Sequence, residues 1–150
     1  MSEKPESAAQ AITVEYELPH APAQVWRALT EPGLLAAWLM PNDIRPVVGH
    51  TFTFKTQAMP GWDGIVQCEI LEAEPRKRLR YSWKGGPAAA PLDSVVTWAL
   101  TESPSGGTHL DLVHSGFLPI NAFAFDTMGE GWRGKVADRM SAVLADAESA

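Results

Sequence analysis

The sequence predicts an α+β domain in which a curved antiparallel sheet wraps a long C-terminal helix, with two short helices after the first strand. Three observations predict it. Between residues 51 and 114, apolar and polar residues alternate in short runs separated by proline- and glycine-rich turns, the pattern of half-buried strands in hairpin order. Near the C-terminus, Phe125, Met128, Trp132, Val136, Met140 and Val143 recur every three or four residues, which is the spacing of one helix face. The chain has 150 residues, 45% of them hydrophobic, enough for one core and one domain.

The elements follow in order. Residues 1–10 are polar and predict a disordered tail, leaving one domain over residues 11–150. Ile12, Val14, Tyr16 and Leu18 alternate with Thr13, Glu15 and Glu17, so residues 12–18 predict a strand that Pro19 ends. Pro22 opens a helix where its missing N–H costs nothing, and Val25, Trp26 and Leu29 form the buried stripe. Pro32 and Gly33 break that helix, and Leu34, Leu35 and Trp38 mark a second short one. Residues 44–48 predict a short strand. Further strands are expected at residues 51–58, 65–73, 78–84, 94–101 and 108–114, with turns at residues 60–64, 75–77, 85–91 and 103–107. The terminal periodicity predicts one helix about 30 Å long, weakened in its first turns by Gly129 and Gly131.

Composition excludes several function classes. The net charge is −6 and the pI about 5.1, so phosphate backbones and anionic lipid surfaces would be repelled. Neither nucleic acid nor membrane is an expected partner. Cys68 is the only cysteine, which rules out an internal disulfide and fits a reducing compartment. The first residues lack the apolar core of a signal peptide, and no apolar run reaches membrane-spanning length. The expected location is the cytoplasm.

A bent sheet has a concave apolar face, and the terminal helix brings its own. With six tryptophans in the chain, the rings meeting there either fill the interior or line a cavity. Trp38, Phe54, Tyr81, Trp83, Trp98, His114 and Trp132 are the candidate ligand-binding walls. His114 shares the inward parity of Leu110 and Leu112. Its imidazole can serve a ligand or move protons, or else be a structural histidine bonded to the terminal helix or a backbone carbonyl. Tyr81 is the other weak catalytic candidate. Cys68 faces inward and reads as an inert small hydrophobe. His109 and Asp111 lie on the opposite face of the His114 strand. They can contribute metal ligands, but no other ligands stand at recognisable spacing, so a solvated face and no metal are expected. Arg76, Lys77, Arg78, Arg80 and Lys84 form the one basic cluster, a solvated turn or a docking patch. Trp62, in a turn, is expected to cap the pocket mouth or to lie against the loop over residues 85–91. No phosphate loop, paired-carboxylate spacing or GxSxG elbow is present, and no cofactor is expected.

Residues 12–40, ITVEYELPHAPAQVWRALTEPGLLAAWLM, resemble the opening of the family named for activators of the ninety-kilodalton heat-shock protein's ATPase. EILEAEPRKRLRYSW over residues 69–83 is similar to that family's central hairpin. GTHLDLVHSGF over residues 107–117, followed by Gly131 and Trp132, is similar to its last strand and C-terminal helix. The resemblance places the chain among helix-grip (START-like, SRPBCC) domains, alongside lipid-transfer START domains, the birch-pollen allergen and polyketide cyclases. It implies a strand, two helices, further strands and a closing helix, with the two short helices supporting the sheet from outside. It also implies a stress-response setting. The function expected is a module holding a hydrophobic or aromatic small molecule between sheet and helix. The alternatives are a chaperone-regulating interaction protein and an enzyme resembling polyketide cyclases. Monomer and homodimer both fit.

Overall fold

The computed structural model describes residues 10–58 and 60–149, with side chains to residue 147. The rest of the expected tail, residues 1–9, lies outside the described residues; Gln10 already belongs to the first strand.

Strand β1 (Gln10–Leu18) leads into α1 (Pro22–Thr30) and α2 (Pro32–Trp38). Both helices start on proline. The Ala21 N–H ahead of α1 donates to Gln24 Oε1 at 3.0 Å, so a side chain one turn on satisfies a group the helix itself leaves free. Strands β2 (Thr51–Lys55), β3 (Ile65–Glu74), β4 (Arg78–Gly85), β5 (Leu92–Glu102) and β6 (Thr108–Phe117) follow. Every pairing is antiparallel, in the order β1-β6-β5-β4-β3-β2, so β1 leaves the hairpin series and returns beside the last strand. A one-turn 3-10 segment, Pro119–Asn121, leads to α3 (Ala122–Arg133) and α4 (Val136–Ser149).

The alternation read in the sequence decides the core. Ile12, Tyr16, Phe52, Phe54, Val66, Ile70, Leu79, Tyr81, Trp83, Val96, Trp98, Leu110 and Leu112 all face inward and are buried. From the helices, Val25, Leu29, Leu35, Trp38, Trp132, Val136, Met140 and Leu144 meet them. Burying each large side chain stabilises by about 1.5–3 kcal/mol, which is why one residue of register slip would be costly. Gly116 bends the end of β6 with φ at +105°, and a Cβ there would lie 3.0 Å from the Asp93 carbonyl. That bend sends Phe117 into the core, fully buried.

Three expectations are corrected. The terminal periodicity is carried by two helices. Gly129 and Gly131 lie within α3, and the break comes at Gly134, whose ψ of −121° leaves the helical basin. A Cβ at Gly134 would sit 3.2 Å from the Glu130 carbonyl, so the chain bends at a residue without one. Tyr16 receives the freed helix end: its hydroxyl donates to the Trp132 carbonyl at 2.5 Å. Residues 44–48 form no strand. Pro46 offers no N–H for a ladder, and the Asp43 carboxylate accepts the Thr53 N–H at 2.7 Å in place of a backbone partner. Just before this segment, Asn42 makes an isolated bridge to Phe54. Finally, α1 and α2 pack against α4, and Trp38 meets inward-facing Trp98 edge-on at 6.1 Å. The short helices therefore share the concave side with α4 and do not buttress the sheet from outside.

Candidate functional site

The seven wall candidates come together. Trp38, Phe54, Tyr81, Trp83, Trp98, His114 and Trp132 are all buried, none more than 4% exposed. Their rings form a continuous chain. Trp38 meets Trp98, Trp98 meets Trp132 at 5.6 Å, and Trp132 meets Trp83 at 6.1 Å, each edge to face. Trp83 then lies 5.1 Å from Phe54, and Phe54 lies 6.2 Å from Tyr81. These separations suit favourable aromatic pairs. They also mean that the rings pack on one another in this conformation.

Several polar atoms inside this cluster are matched to one another. The Trp132 indole N–H donates to His114 Nδ1 at 3.1 Å. His114 Nδ1 is then an acceptor, which leaves the ring proton on Nε2. Ser94 Oγ lies 2.8 Å from Nε2 and accepts that proton, while its own hydroxyl donates to the Trp83 carbonyl at 2.8 Å. The relay runs from α3 through β6 and β5 to β4 and fixes one tautomer of a neutral imidazole. Burial holds the His114 pKa down at about 3. Of the two roles open to His114 in the sequence, the structure supplies the partners of the structural one, on the terminal helix. Ser94 was missed. Its signal was a lone hydroxyl on the inward parity of β5, between Leu92 and Val96.

Tyr81 is fully buried and accepts the Trp98 indole N–H at 3.1 Å. Desolvation pushes its phenol well above the ordinary range, so it is neutral at physiological pH. Cys68, also inward, is likewise pushed up by burial and stays a thiol. A neutral imidazole engaged at both nitrogens and an un-ionised phenol can orient a ligand's polar atoms. The imidazole could move a proton only by breaking one of its present bonds, and the phenol only against the desolvation that keeps it un-ionised.

Open clefts lie elsewhere, on the outer face of the sheet. One groove of about 560 Å³ is lined by Asp43, Thr51, Thr53, Gln67, Glu69, Ser82 and Lys84, among others. A second, of about 390 Å³, runs between Trp62, Asp63, Lys84, Gly85 and Asp93. Trp62 lies against Gly85, where a Cβ would come within 3.3 Å of the indole, and its N–H donates to the Ile65 carbonyl at 3.1 Å. It packs on the loop it was expected to meet. The basic turn is largely engaged: Arg78 and Arg80 reach Glu72 at 3.1 and 3.7 Å, and Lys77 reaches Glu74 at 3.9 Å.

The register of β1 on β6 adds what the sequence spacing could not. Glu17 pairs with His109 and Glu15 with Asp111, so four polar side chains share one patch of outer face. His109 Nδ1 is hydrogen-bonded to Glu17, while Nε2 lies 3.1 Å from Asp111 and 3.6 Å from Glu15. The Glu17 carboxylate beside it raises the His109 pKa. No helix among the described residues is long and apolar enough to cross a membrane.

The fold recurs in solved structures. Protein MLL2253 from Mesorhizobium loti is 38% identical, with a TM-score of 0.81, over 91% of this chain and 98% of that one. CalU16 from Micromonospora echinospora is 26% identical, with a TM-score of 0.67, over 94% and 80% of the two chains. DynU16, from the dynemicin biosynthetic locus, superposes with a TM-score of 0.71 at 23% identity; this chain spans 47% of its length. No match is found among curated proteins. The family model described as activator of Hsp90 ATPase homolog 1-like protein matches residues 19–145. With its α+β helix-grip fold and that match, the chain belongs to the family of proteins like activator of Hsp90 ATPase homolog 1.

Proposed function

We propose that this domain holds a hydrophobic or aromatic small molecule between the sheet and the C-terminal helices. One observation carries it: an unbroken chain of aromatic rings across β2, β4, β5, α2 and α3, with His114, Ser94 and Tyr81 as its polar atoms. Such a lining suits an apolar guest with one or two polar atoms. The rings are in mutual contact, so a guest would enter by displacing α3. Only Gly129 and Trp132 of that helix are buried, and it ends at the Gly134 break. The test is native mass spectrometry of the gently purified protein, combined with titration by 8-anilinonaphthalene-1-sulfonate while tryptophan emission is followed. A bound mass, or saturable one-to-one quenching with blue-shifted probe emission, is expected. An unliganded mass with a flat titration would overturn the proposal.

The family match favours one second reading, stimulation of a bacterial chaperone's ATPase. A dose-dependent rise in ATP hydrolysis at micromolar protein is its signature, and a flat response would count against it. A cyclase-like activity would need Tyr81 or His114 to move protons. Tyr81→Phe and His114→Gln would then abolish turnover in a protein that still folds.

A further inference from the structure

We propose that Glu15, His109 and Asp111 form a binding site for a divalent transition-metal ion of the zinc type on the outer face of β1 and β6, with Glu17 as the residue that orients the imidazole. The ligand atoms of the first three lie within 4.8 Å of one another. His109 Nε2 stands 3.1 Å from Asp111 Oδ1 and 3.6 Å from Glu15 Oε1. Metal–ligand bonds of about 2.0–2.2 Å put neighbouring donors about 3–3.5 Å apart, so these separations already approximate edges of a coordination polyhedron.

The histidine distinguishes this patch from a solvated acidic surface. Its Nδ1 side is taken by Glu17, and Ser103 Oγ donates to Glu17 at 3.4 Å. With Nδ1–H donating to Glu17, Nε2 is the nitrogen that faces the two remaining carboxylates, and a metal ion bound there would take the place of its proton. A carboxylate holding one imidazole nitrogen while the other meets a cation is how metal-ligating histidines are commonly oriented. Charge points the same way. Among the described residues, His109 is the only basic side chain at ion-pair distance from Glu15, Glu17 and Asp111, so no lysine or arginine competes with a metal ion for the three carboxylates. On the other side of β6, Ala99 and Thr101 face Asp111 and His109 and carry no charge. The nitrogen donor favours zinc-type ions over magnesium and calcium, which prefer all-oxygen sites. The site opens to solvent, so water would complete the coordination shell.

The experiment uses untagged full-length protein, stripped with a chelator and dialysed. Isothermal titration with zinc chloride is expected to show one saturable site and a raised melting temperature, with no response to magnesium or calcium at the same concentration. Cobalt(II) should give visible d–d absorption on binding. His109→Ala and Asp111→Asn should each abolish all of these signals. Glu17→Gln should weaken binding by about 10–100-fold. A double His20→Ala, His50→Ala variant should bind as the unaltered protein does. All the altered side chains are at least partly exposed, and circular dichroism checks that each variant folds. No saturable site in the unaltered protein, or affinity unchanged in both His109→Ala and Asp111→Asn, would overturn the proposal.

Discussion

Replacing His114 with glutamine tests the buried relay through its pH dependence. The folded pKa is about 3, below the value near 6.5 of an exposed histidine. Between those pH values the unfolded chain binds a proton that the folded one refuses. Stability from the neutral imidazole is therefore fully present above about pH 6.5 and is lost as pH falls. The loss approaches about 1.4 kcal/mol per pH unit, and at pH 4.5 it totals about 2.5 kcal/mol. At that pH the figure depends almost wholly on the unfolded pKa. Glutamine can donate to Ser94 but never gains a charge. It should cost about 1–3 kcal/mol at pH 7.5 through the imperfectly matched Trp132 N–H. Urea unfolding of both proteins, followed by tryptophan emission at several pH values from 7.5 to 4.5, measures the gap directly. Carboxylates titrate in both proteins and cancel. The gap should narrow by about 2.5 kcal/mol on acidification, closing or changing sign by pH 4.5. A gap constant across that range would refute a buried neutral His114.

Other perturbations probe separate joints. Tyr16→Phe removes the hydroxyl bonded to the Trp132 carbonyl; a loss of about 1–2 kcal/mol, with faster amide exchange confined to α3, is expected from urea unfolding and hydrogen exchange. Trp98→Ala empties a fully buried site and leaves the Tyr81 hydroxyl without its donor, so a loss of about 3–5 kcal/mol should appear in the same unfolding assay. Gly116→Ala places a Cβ 3.0 Å from the Asp93 carbonyl at φ +105°, and should cost about 1–3 kcal/mol by thermal melting. Cys68, buried with its thiol pushed upward, should react with a disulfide reagent only as fast as the protein opens; rapid labelling of the folded state would contradict its placement.

What the sequence made legible was whatever depends on period. Two-residue alternation identified β1 to β6 and the inward side of each, including Phe54, Tyr81, Trp83, Trp98 and His114, while helical spacing supplied Trp38 and Trp132. Helical spacing found the terminal apolar face but could not locate its break. Gly129, Gly131 and Gly134 look alike in one dimension, and only the third has a carbonyl crowding the position of a Cβ outside the helical basin. The strand expected at residues 44–48 failed for a related reason. Ile44 is buried as alternation suggests, but Pro46 and the Asp43 side chain remove the backbone ladder that a strand needs. Ser94 was hidden because a single inward hydroxyl acquires meaning only when its partner, far along the chain, is known to be opposite. Glu15 and Glu17 were invisible as partners of His109 because nothing local reveals that β1 skips the intervening strands to pair with β6.

Strand β6 shows how far that one pairing reaches. His109 and His114 stand an odd number of positions apart, so the pleat sends them to opposite faces. His114 enters a dry aromatic interior, where burial disfavours its charged form. His109 meets Glu17 and Asp111 at the surface, where the carboxylates favour it. The signs oppose each other in linkage. His109 contributes stability that is present at low pH and lost as pH rises through its raised folded pKa, whereas His114 contributes stability that is lost as pH falls. An acid titration of the unaltered protein therefore mixes two effects of opposite sign, and the shallower slope would understate the His114 contribution. In a His109→Ala background the surface effect is gone. There the stability loss between pH 7.5 and 4.5 should be steeper than in the unaltered protein, and adding His114→Gln should flatten it. If His109→Ala instead made the acid loss shallower, His109 would not be held in its charged form, and the carboxylates of β1 and β6 would not be acting on it as their distances imply.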